Sequence, residues 1–196
     1  MLLVVLTLAA YLLGSISSAI IVCRLLGVAD PRGVGSGNPG ATNVLRHAGK
    51  LAGGITLLGD AGKGVVPVLA ASALGCGPQQ LALVALATFL GHLFPLYYRF
   101  AGGKGVATFL GVNLALDLRL GLTFIVAWLV VALVVRYSSL AALVAAAITP
   151  LAAAWFGQPP MALAIFAVMT ALIYWRHASN IQNLIAGTEK RIGQKA

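Results

Sequence analysis

Long apolar runs without charge constrain this chain more than any other feature. The first, Leu2 to Cys23, has no basic segment ahead of it and continues to Arg24, past the length of a signal-peptide core. We interpret it as an uncleaved transmembrane helix. The six later runs lie at about Leu51 to Leu74, Leu81 to Tyr98, Val106 to Leu118, Leu120 to Val135, Leu140 to Phe156 and Met161 to Tyr174. Because 60% of the residues are hydrophobic and 9% are charged, we predict an all-α integral membrane protein with about seven transmembrane helices in one domain, residues 1–196.

The fourth run is the weakest of these spans, because its thirteen residues rise only about 20 Å against a hydrocarbon core of about 30 Å. The charges favour a crossing. With seven spans and an outside N-terminus, only Asp117 and Arg119 lie outside, whereas without the fourth crossing Arg136 would move outside and the bias of basic residues would weaken. The C-terminus is then cytoplasmic. The basic residues placed on the cytoplasmic side are Arg24, Arg32, Arg46, Lys50, Arg99, Lys104, Arg136, Arg176, Lys190, Arg191 and Lys195.

The net charge of +9 does not indicate a nucleic-acid partner, because the basic residues are spread over several short loops. The positive-inside rule explains most of them, and attraction of an anionic substrate or of anionic lipid headgroups explains the remainder equally well. Cys23 and Cys76 fall near opposite membrane faces and have no second metal ligand nearby, so we assign them to packing. We expect no metal and no cofactor.

A glycine-rich loop follows the first span and runs from Gly33 to Asn43. Four glycines and a proline cannot continue a helix, but they can expose several backbone N–H groups in one concave turn. Hydroxyl and amide side chains lie beside them, which makes the loop a candidate cradle for a phosphate. The candidate ligand-binding residues in this loop are Ser36, Gly37, Asn38, Gly40, Thr42 and Asn43.

A second glycine cluster, Gly102-Gly103-Lys104-Gly105, precedes the fourth run. An ammonium group at a helix N-terminus suits a phosphate. A flexible loop whose lysine only marks the inner membrane face is an equally good interpretation of this cluster in isolation.

The third cluster begins at Arg176 and His177, where the last span ends. Spacing places His177, Asn180 and Leu184 on one helical face, on the same side of the membrane as the two glycine loops. We expect His177 and Asn180 to contact a substrate, with an interfacial or structural role of His177 as the alternative. Glu189 is expected to hold Arg191 or a loop arginine in place.

Polar residues inside the spans give weaker signals. Asp60 and Lys63 are three apart on one predicted helix, and we expect them to pair. His92 lies near the cytoplasmic end of its span, where packing and shaping of the site are equally plausible. Ser138 and Ser139 follow the fifth span and can cap the next helix or contact a ligand.

Several known motifs are excluded. The Walker pattern fails at Gly103-Lys104 and at Gly62-Lys63, since glycine follows each lysine. The formal dinucleotide pattern at Gly35 to Gly40 follows a membrane helix and not a strand. No His-x-x-x-x-Asp acyltransferase signature is present, and no convincing Ser-His-Asp set can be assembled.

Three segments together resemble the signature motifs of the bacterial PlsY family, the acyl-phosphate:glycerol-3-phosphate acyltransferases. They are the segment from Gly35 to Asn43, the pair Gly91 to Pro95 and Gly102 to Thr108, and Arg176-His177-x-x-Asn180-Ile181. The resemblance runs in order from the first span to Glu189. It implies an enzyme of the bacterial cytoplasmic (inner) membrane that transfers a fatty acyl group from acyl phosphate to the 1-position of sn-glycerol 3-phosphate. The products would be lysophosphatidate and phosphate, in the first acylation of phospholipid synthesis.

The resemblance also assigns roles to residues. It implies catalytic roles for Ser36, Arg46, Lys104, His177 and Asn180, and substrate binding by Gly37, Asn38, Gly40, Thr42, Asn43, Gly102, Gly103, Gly105 and Ser139. Arg46 and Lys104 would hold the two phosphates, and backbone N–H groups of the Ser36 to Gly40 and Gly103 regions would serve the carbonyl oxygen or the departing phosphate. Its implied partners are the two substrates, the bilayer and a soluble enzyme that forms acyl phosphate, and we expect a monomer.

Two functions of other classes compete with the enzyme. A small transporter for a phosphorylated metabolite would also use basic residues and glycine loops, although we find no internal repeat and the polar clusters lie at one face. A lipid-binding scaffold would not need Arg46, Lys104 and His177 to converge. A covalent acyl-enzyme at Ser36 is disfavoured, because no His–Asp dyad and no Ser-His-Asp set can be assembled to activate the serine. Direct attack on acyl phosphate, a mixed anhydride, needs orientation and charge stabilisation more than a strong base.

Overall fold

The computed structural model describes residues 1–194, which form nine α-helices, one short 3-10 helix at Leu96–Tyr98 and no β-strand. The predicted all-α class is confirmed. In chain order the α-helices are α1 (Leu2–Gly14), α2 (Ser18–Leu25), α3 (Ala41–Ala73), α4 (Pro78–Leu93), α5 (Val106–Leu116), α6 (Leu118–Val135), α7 (Ser138–Trp155), α8 (Pro160–Arg176) and α9 (Ala178–Ile185).

The lengths of these helices differ from the seven predicted spans. Within residues 1–194, four helical segments can cross a membrane by themselves: Ala41–Ala73, Pro78–Tyr98, Leu118–Val135 and Ser138–Trp155. The pairs α1 with α2 and α8 with α9 reach that length only together, and they bend by 42° and 60°. Helix α5 has 11 residues and rises only about 16 Å. By length and composition the described residues contain four spans, or up to six if each bent pair is one span, and α5 is the predicted span that is too short in either count.

The first apolar run is not one helix, as the sequence predicted, but breaks between α1 and α2. At the break, Ser15 Oγ donates to the Tyr11 carbonyl at 2.8 Å, and Ser17 takes an extended conformation as the N-cap of α2. The Lys63 ammonium group on α3 donates to the Ile16 carbonyl at 2.6 Å. A charged partner from a distant helix thus satisfies a carbonyl that an unbroken helix would have used internally.

Lys63 also forms the predicted ion pair with Asp60, with 3.0 Å between Nζ and Oδ1 and both side chains buried. The pair lies where α3 packs against α5. There the backbones approach so closely that a Cβ on Gly111 would lie 2.0 Å from the Ala61 carbonyl oxygen. Small residues permit such close packing in membrane proteins, and here it fixes α5 against the longest helix.

Helix α3 is kinked at Gly49, whose φ of +88° is outside the helical region. Left-handed φ values suit glycine, which has no Cβ to clash. The kink separates a short segment, residues 41–48, from the long span that follows. Arg46 lies on this short segment, so the kink sets its direction.

Candidate active site

The three glycine and polar clusters meet around one cavity of about 370 Å³ at one end of the helix bundle. The first loop leads to it from α2, the second precedes α5, and the third spans the junction of α8 and α9. Eleven of the fourteen predicted site residues line this cavity: Ser36, Asn38, Gly40, Thr42, Asn43, Arg46, Lys104, Gly105, Ser139, His177 and Asn180.

Asn43 holds the first loop in shape. Its side-chain oxygen accepts from the Ser36 N–H at 3.1 Å, and its NH₂ group donates to the carbonyls of Pro31 at 2.8 Å and Val34 at 3.0 Å. Asn43 is buried, with 2% exposure. The residue predicted to contact substrate therefore uses its amide to build the loop that presents Ser36.

Most of the backbone donors expected from this loop are engaged within it. The Ser36 N–H bonds to Asn43, the Gly37 N–H donates to the Val34 carbonyl at 3.0 Å, and the Gly40 N–H donates to the Asn38 carbonyl at 2.9 Å. Gly37 does not line the cavity. The tight turns of the loop thus use these N–H groups themselves, and substrate binding by the backbone between Ser36 and Gly40 stays a prediction.

A hydrogen-bonded chain crosses the polar side of the cavity. The Lys104 ammonium group donates to the Asn180 side-chain oxygen, and the Asn180 NH₂ group donates to Glu189 Oε1 at 2.8 Å. Ser139 Oγ donates to the same oxygen of Glu189 at 2.6 Å. Burial lowers the pKa of Lys104, whereas the nearby Glu189 carboxylate raises it. Two predicted catalytic residues thus contact each other directly.

Glu189 is the residue that sequence reasoning misjudged. We expected it to hold an arginine, but it lines the cavity and accepts from Ser139 and Asn180. Its position in the third cluster was the available signal, since it is the only acidic residue after α8 in the sequence. The contact with Ser139, 50 residues away, could not be read from spacing.

Arg46 and His177 lie at the edge and the wall of the cavity. Arg46 Nη2 donates to the Lys190 carbonyl at 3.3 Å. This contact uses one of the five N–H donors of the guanidinium group. His177 is buried, and its Nδ1 lies 2.8 Å from the Ile173 carbonyl. Because a carbonyl only accepts, Nδ1 carries the proton of the neutral ring, which leaves Nε2 as an acceptor.

The start of α7 is joined to the start of α3. The Thr42 and Ser138 hydroxyl oxygens are 3.2 Å apart, and both residues line the cavity. Tyr137 is the N-cap of α7, so neither Ser138 nor Ser139 caps it, and both face partners of the site. Of the two roles left open for these serines, capping of α7 is not observed, and contact with a ligand stays a prediction.

The opposite side of the cavity is apolar. Its side chains come from α3, α5 and α6, and Leu57 and Leu129 are 44% and 46% exposed on the outer surface of the bundle. No pattern in the sequence marks this wall, because apolar residues on membrane helices have the same character whether they face a cavity or lipid. The apolar lining consists of Leu57, Leu110, Phe124, Ile125, Trp128 and Leu129.

Gly102 and Gly103, predicted to bind substrate, do not line this cavity. The Gly103 N–H donates to the His92 carbonyl at 3.2 Å, so it is not available as a donor to substrate. The carbonyls of both glycines accept hydrogen bonds from Arg176. Both glycines are buried in this arrangement, and their direct contact with substrate stays a prediction.

The family model described as Glycerol-3-phosphate acyltransferase matches residues 4–187 of the chain. A glycerol-3-phosphate acyltransferase of Thioalkalivibrio sulfidiphilus is 56% identical over 190 residues, which cover 97% of this chain and 94% of that protein. A protein of the same name from Halorhodospira halophila is 55% identical and covers 97% of this chain and 96% of its own length.

Solved structures of glycerol 3-phosphate acyltransferases are also similar to this chain. The crystal structure of PlsY (YgiH), an integral membrane glycerol 3-phosphate acyltransferase, in its glycerol 3-phosphate form matches with a TM-score of 0.93 and 40% identity, over 98% of this chain and 96% of that one. Its lysophosphatidic acid form matches with a TM-score of 0.91 and 39% identity, over the same shares. The similarity extends over nearly the whole fold.

Proposed function

Because the chain belongs to the glycerol-3-phosphate acyltransferase family, we propose that it transfers a fatty acyl group from acyl phosphate to the 1-position of sn-glycerol 3-phosphate. The products are lysophosphatidate and inorganic phosphate. The observation that carries this proposal is the division of the cavity into a side with Arg46 and Lys104 and a side of apolar residues. Both substrates carry a phosphate, and one also carries a long apolar chain.

The polar side suits two phosphates. Arg46 offers planar, paired donors, and Lys104 offers a compact charge whose own position is fixed by Asn180. The first turn of α5 also lines the cavity, with Gly105, Val106 and Ala107, and the N–H groups of a first helical turn have no partner inside the helix. Ser36 supplies a hydroxyl at the end of a loop held rigid by Asn43.

The reaction requires little acid–base chemistry from the protein. The glycerol 1-hydroxyl oxygen attacks the acyl carbonyl carbon, the carbon–oxygen bond to phosphate breaks, and phosphate leaves with the bonding electrons. A substrate phosphate accepts the hydroxyl proton. The protein contributes orientation of the two substrates and positive charge near the departing phosphate, through Arg46 and Lys104. Asn180 and the Nε2 acceptor of His177 orient the groups around the attacking hydroxyl.

The apolar side suits the acyl chain. Trp128 and Phe124 line its inner part, and Leu129 reaches the outer surface of the bundle. An acyl chain bound there would exchange contacts with lipid for contacts with apolar side chains of similar polarity. The acyl donor and the lipid product could therefore enter and leave the cavity laterally from the bilayer. This arrangement fits a multi-pass membrane protein whose acyl donor and lipid product are dissolved in the bilayer.

The cellular setting belongs to the same proposal. The protein lies in the bacterial cytoplasmic membrane as one transmembrane domain, with the N-terminus outside and the cavity on the cytoplasmic side. The concentration of basic residues at loops of that side supports this orientation. It acts as a monomer, and a soluble enzyme that forms acyl phosphate supplies its donor. The transporter alternative has no support among the relatives.

Purified protein in lipid vesicles tests the activity. Labelled glycerol 3-phosphate is offered with palmitoyl phosphate, palmitoyl-CoA or palmitoyl carrier protein separately, and lysophosphatidate is measured. We expect product with palmitoyl phosphate alone. Lys104→Ala should abolish most of it, whereas Lys50→Ala, which removes an exposed lysine outside the cavity, should not. Folded protein with no product from any donor would overturn the proposal, and product from a thioester would overturn the choice of donor.

A further inference from the structure

The backbone just before Lys104 is held on both sides. On one side the Gly103 N–H donates to the His92 carbonyl at 3.2 Å. On the other side the Arg176 guanidinium donates from Nε to the Gly103 carbonyl at 3.1 Å and from Nη2 to the Gly102 carbonyl at 2.5 Å. The planar guanidinium group thus donates to two successive carbonyls. Its fixed fork of N–H donors suits this arrangement, whereas a single ammonium group does not.

The close packing around the two glycines leaves no space for a side chain. A Cβ on Gly102 would lie 2.2 Å from the His92 carbonyl oxygen, and one on Gly103 would lie 2.2 Å from Nε2 of the His92 ring. Both glycines are buried. His92 itself lies 3.9 Å from Asp60, a member of the buried ion pair with Lys63. The segment is therefore clamped between α4 and the end of α8.

The end of α8 and the start of α9 carry the partners of Lys104 as well as the clamp. Arg176 is the last residue of α8, His177 follows it in the cavity wall, and Asn180 accepts from the Lys104 ammonium group. The same short segment thus holds the backbone before Lys104 and the tip of its side chain. Arg176 does not line the cavity, so it reaches the substrates only through the loop.

We propose that Arg176 is a positioning residue for the acyl transfer, which fixes the Gly102 and Gly103 carbonyls so that Lys104 and the first turn of α5 face the substrate phosphate. This inference rests on the proposed function of Lys104. A purely structural role would lower stability without depending on Lys104. A positioning role makes the effect of Arg176 on catalysis depend on whether Lys104 is present.

A double-mutant cycle separates the two roles. Arg176→Gln, Lys104→Ala and the double variant are compared with the unaltered protein by kcat and KM for both substrates. We expect Arg176→Gln to lower kcat/KM about 10- to 100-fold, as for loss of hydrogen bonds from a charged group. In the Lys104→Ala background the same change should cost less than about threefold. Full additivity of the two losses would overturn the proposal.

Arg176→Lys keeps the charge and removes the fork. We expect it to lose nearly as much activity as Arg176→Gln, and wild-type activity in it would contradict the positioning role. Arg99→Gln is the matched control, because it removes an exposed arginine from the preceding turn and touches neither glycine. Absence of transfer by the unaltered protein would count against the proposed function. Normal transfer by both Arg176 variants would count against this inference alone.

Discussion

The two glycine-rich loops of the site are shaped by different means. The first is held by Asn43, which lies in the same segment and bonds to Pro31, Val34 and Ser36 within 12 residues. The second is held by Arg176, which is 73 residues from Gly103 in sequence, and by the backbone of His92 on α4. The first loop therefore carries most of its own shape, whereas the second takes its shape from the assembled helix bundle.

Because of this difference, we expect substitutions in the two loops to affect stability and catalysis to different extents. Damage to the Asn43 contacts of the first loop stays local, because these three hydrogen bonds do not join distant helices. A substitution that distorts the second loop also disturbs the junction of α8 and α9 and the Asp60–Lys63 ion pair next to His92. Substitutions in the second loop are therefore expected to change both the activity and the free energy of unfolding, and those in the first loop mainly the activity.

The largest effect is expected from Lys104→Ala in the second loop. It removes the charge that we propose contacts the substrate phosphate, and it leaves Asn180 and Glu189 without their cationic partner. Loss of one preorganised charge contact typically costs 10²- to 10³-fold in kcat. Initial rates of lysophosphatidate formation measure this. A loss below tenfold in folded protein would show that Lys104 is not the phosphate contact.

Gly103→Ala should have the next largest effect and should affect stability as well. Its Cβ would lie 2.2 Å from the His92 ring, and overpacking of this kind costs about 1–3 kcal/mol in the free energy of unfolding. Gly33→Ala in the first loop is the matched control, because its Cβ would meet only the Asp30 carbonyl at 3.7 Å. Thermal unfolding in detergent and transfer rates are measured together. If the two substitutions changed stability and activity equally, the proposed difference between the two loops would be contradicted.

The contrast between the loops also explains how far the sequence could predict the structure. Apolar runs predict helices well, because the bilayer requires every backbone group to be bonded internally. The glycine clusters and the span parity predicted that Ser36, Lys104 and His177 would converge, and they do line one cavity. The break at Ile16 was not predicted, and one of the contacts that stabilise it comes from Lys63 on another helix.

Two other contacts that the sequence did not predict also depend on the packing of distant segments. Gly103 was expected to donate to substrate because glycine loops commonly bind phosphate. Its N–H instead bonds to the carbonyl of His92, a contact made only when α4 is in place. Glu189 likewise meets Ser139 and Asn180 through packing of the tail on α7 and α9. Residue spacing within one segment does not carry information of this kind.

Asn43→Ala in the first loop should reduce activity about tenfold or more with a smaller change in overall stability than Gly103→Ala. It removes three hydrogen bonds and frees the Ser36 turn, although the loosened loop can reach solvent and recover part of their energy. Asn43→Asp keeps the acceptor for the Ser36 N–H and loses both donors. If the Ser36 contact matters most, Asn43→Asp should retain more activity than Asn43→Ala, and the reverse order would refute that assignment.

The smallest effect is expected from Thr42→Val, which tests a contact between the first loop and α7. It removes the hydroxyl that lies 3.2 Å from Ser138 Oγ while it keeps the side-chain shape, and both residues are accessible to water or substrate at the cavity. A neutral hydrogen bond of this kind contributes about 1 kcal/mol, which corresponds to about fivefold in rate if it acts only in the transition state. Ser138→Ala should give the same loss, and the double variant no more than either alone. Additive losses would mean that Thr42 and Ser138 contact the substrate separately, and the first loop would then act without support from α7.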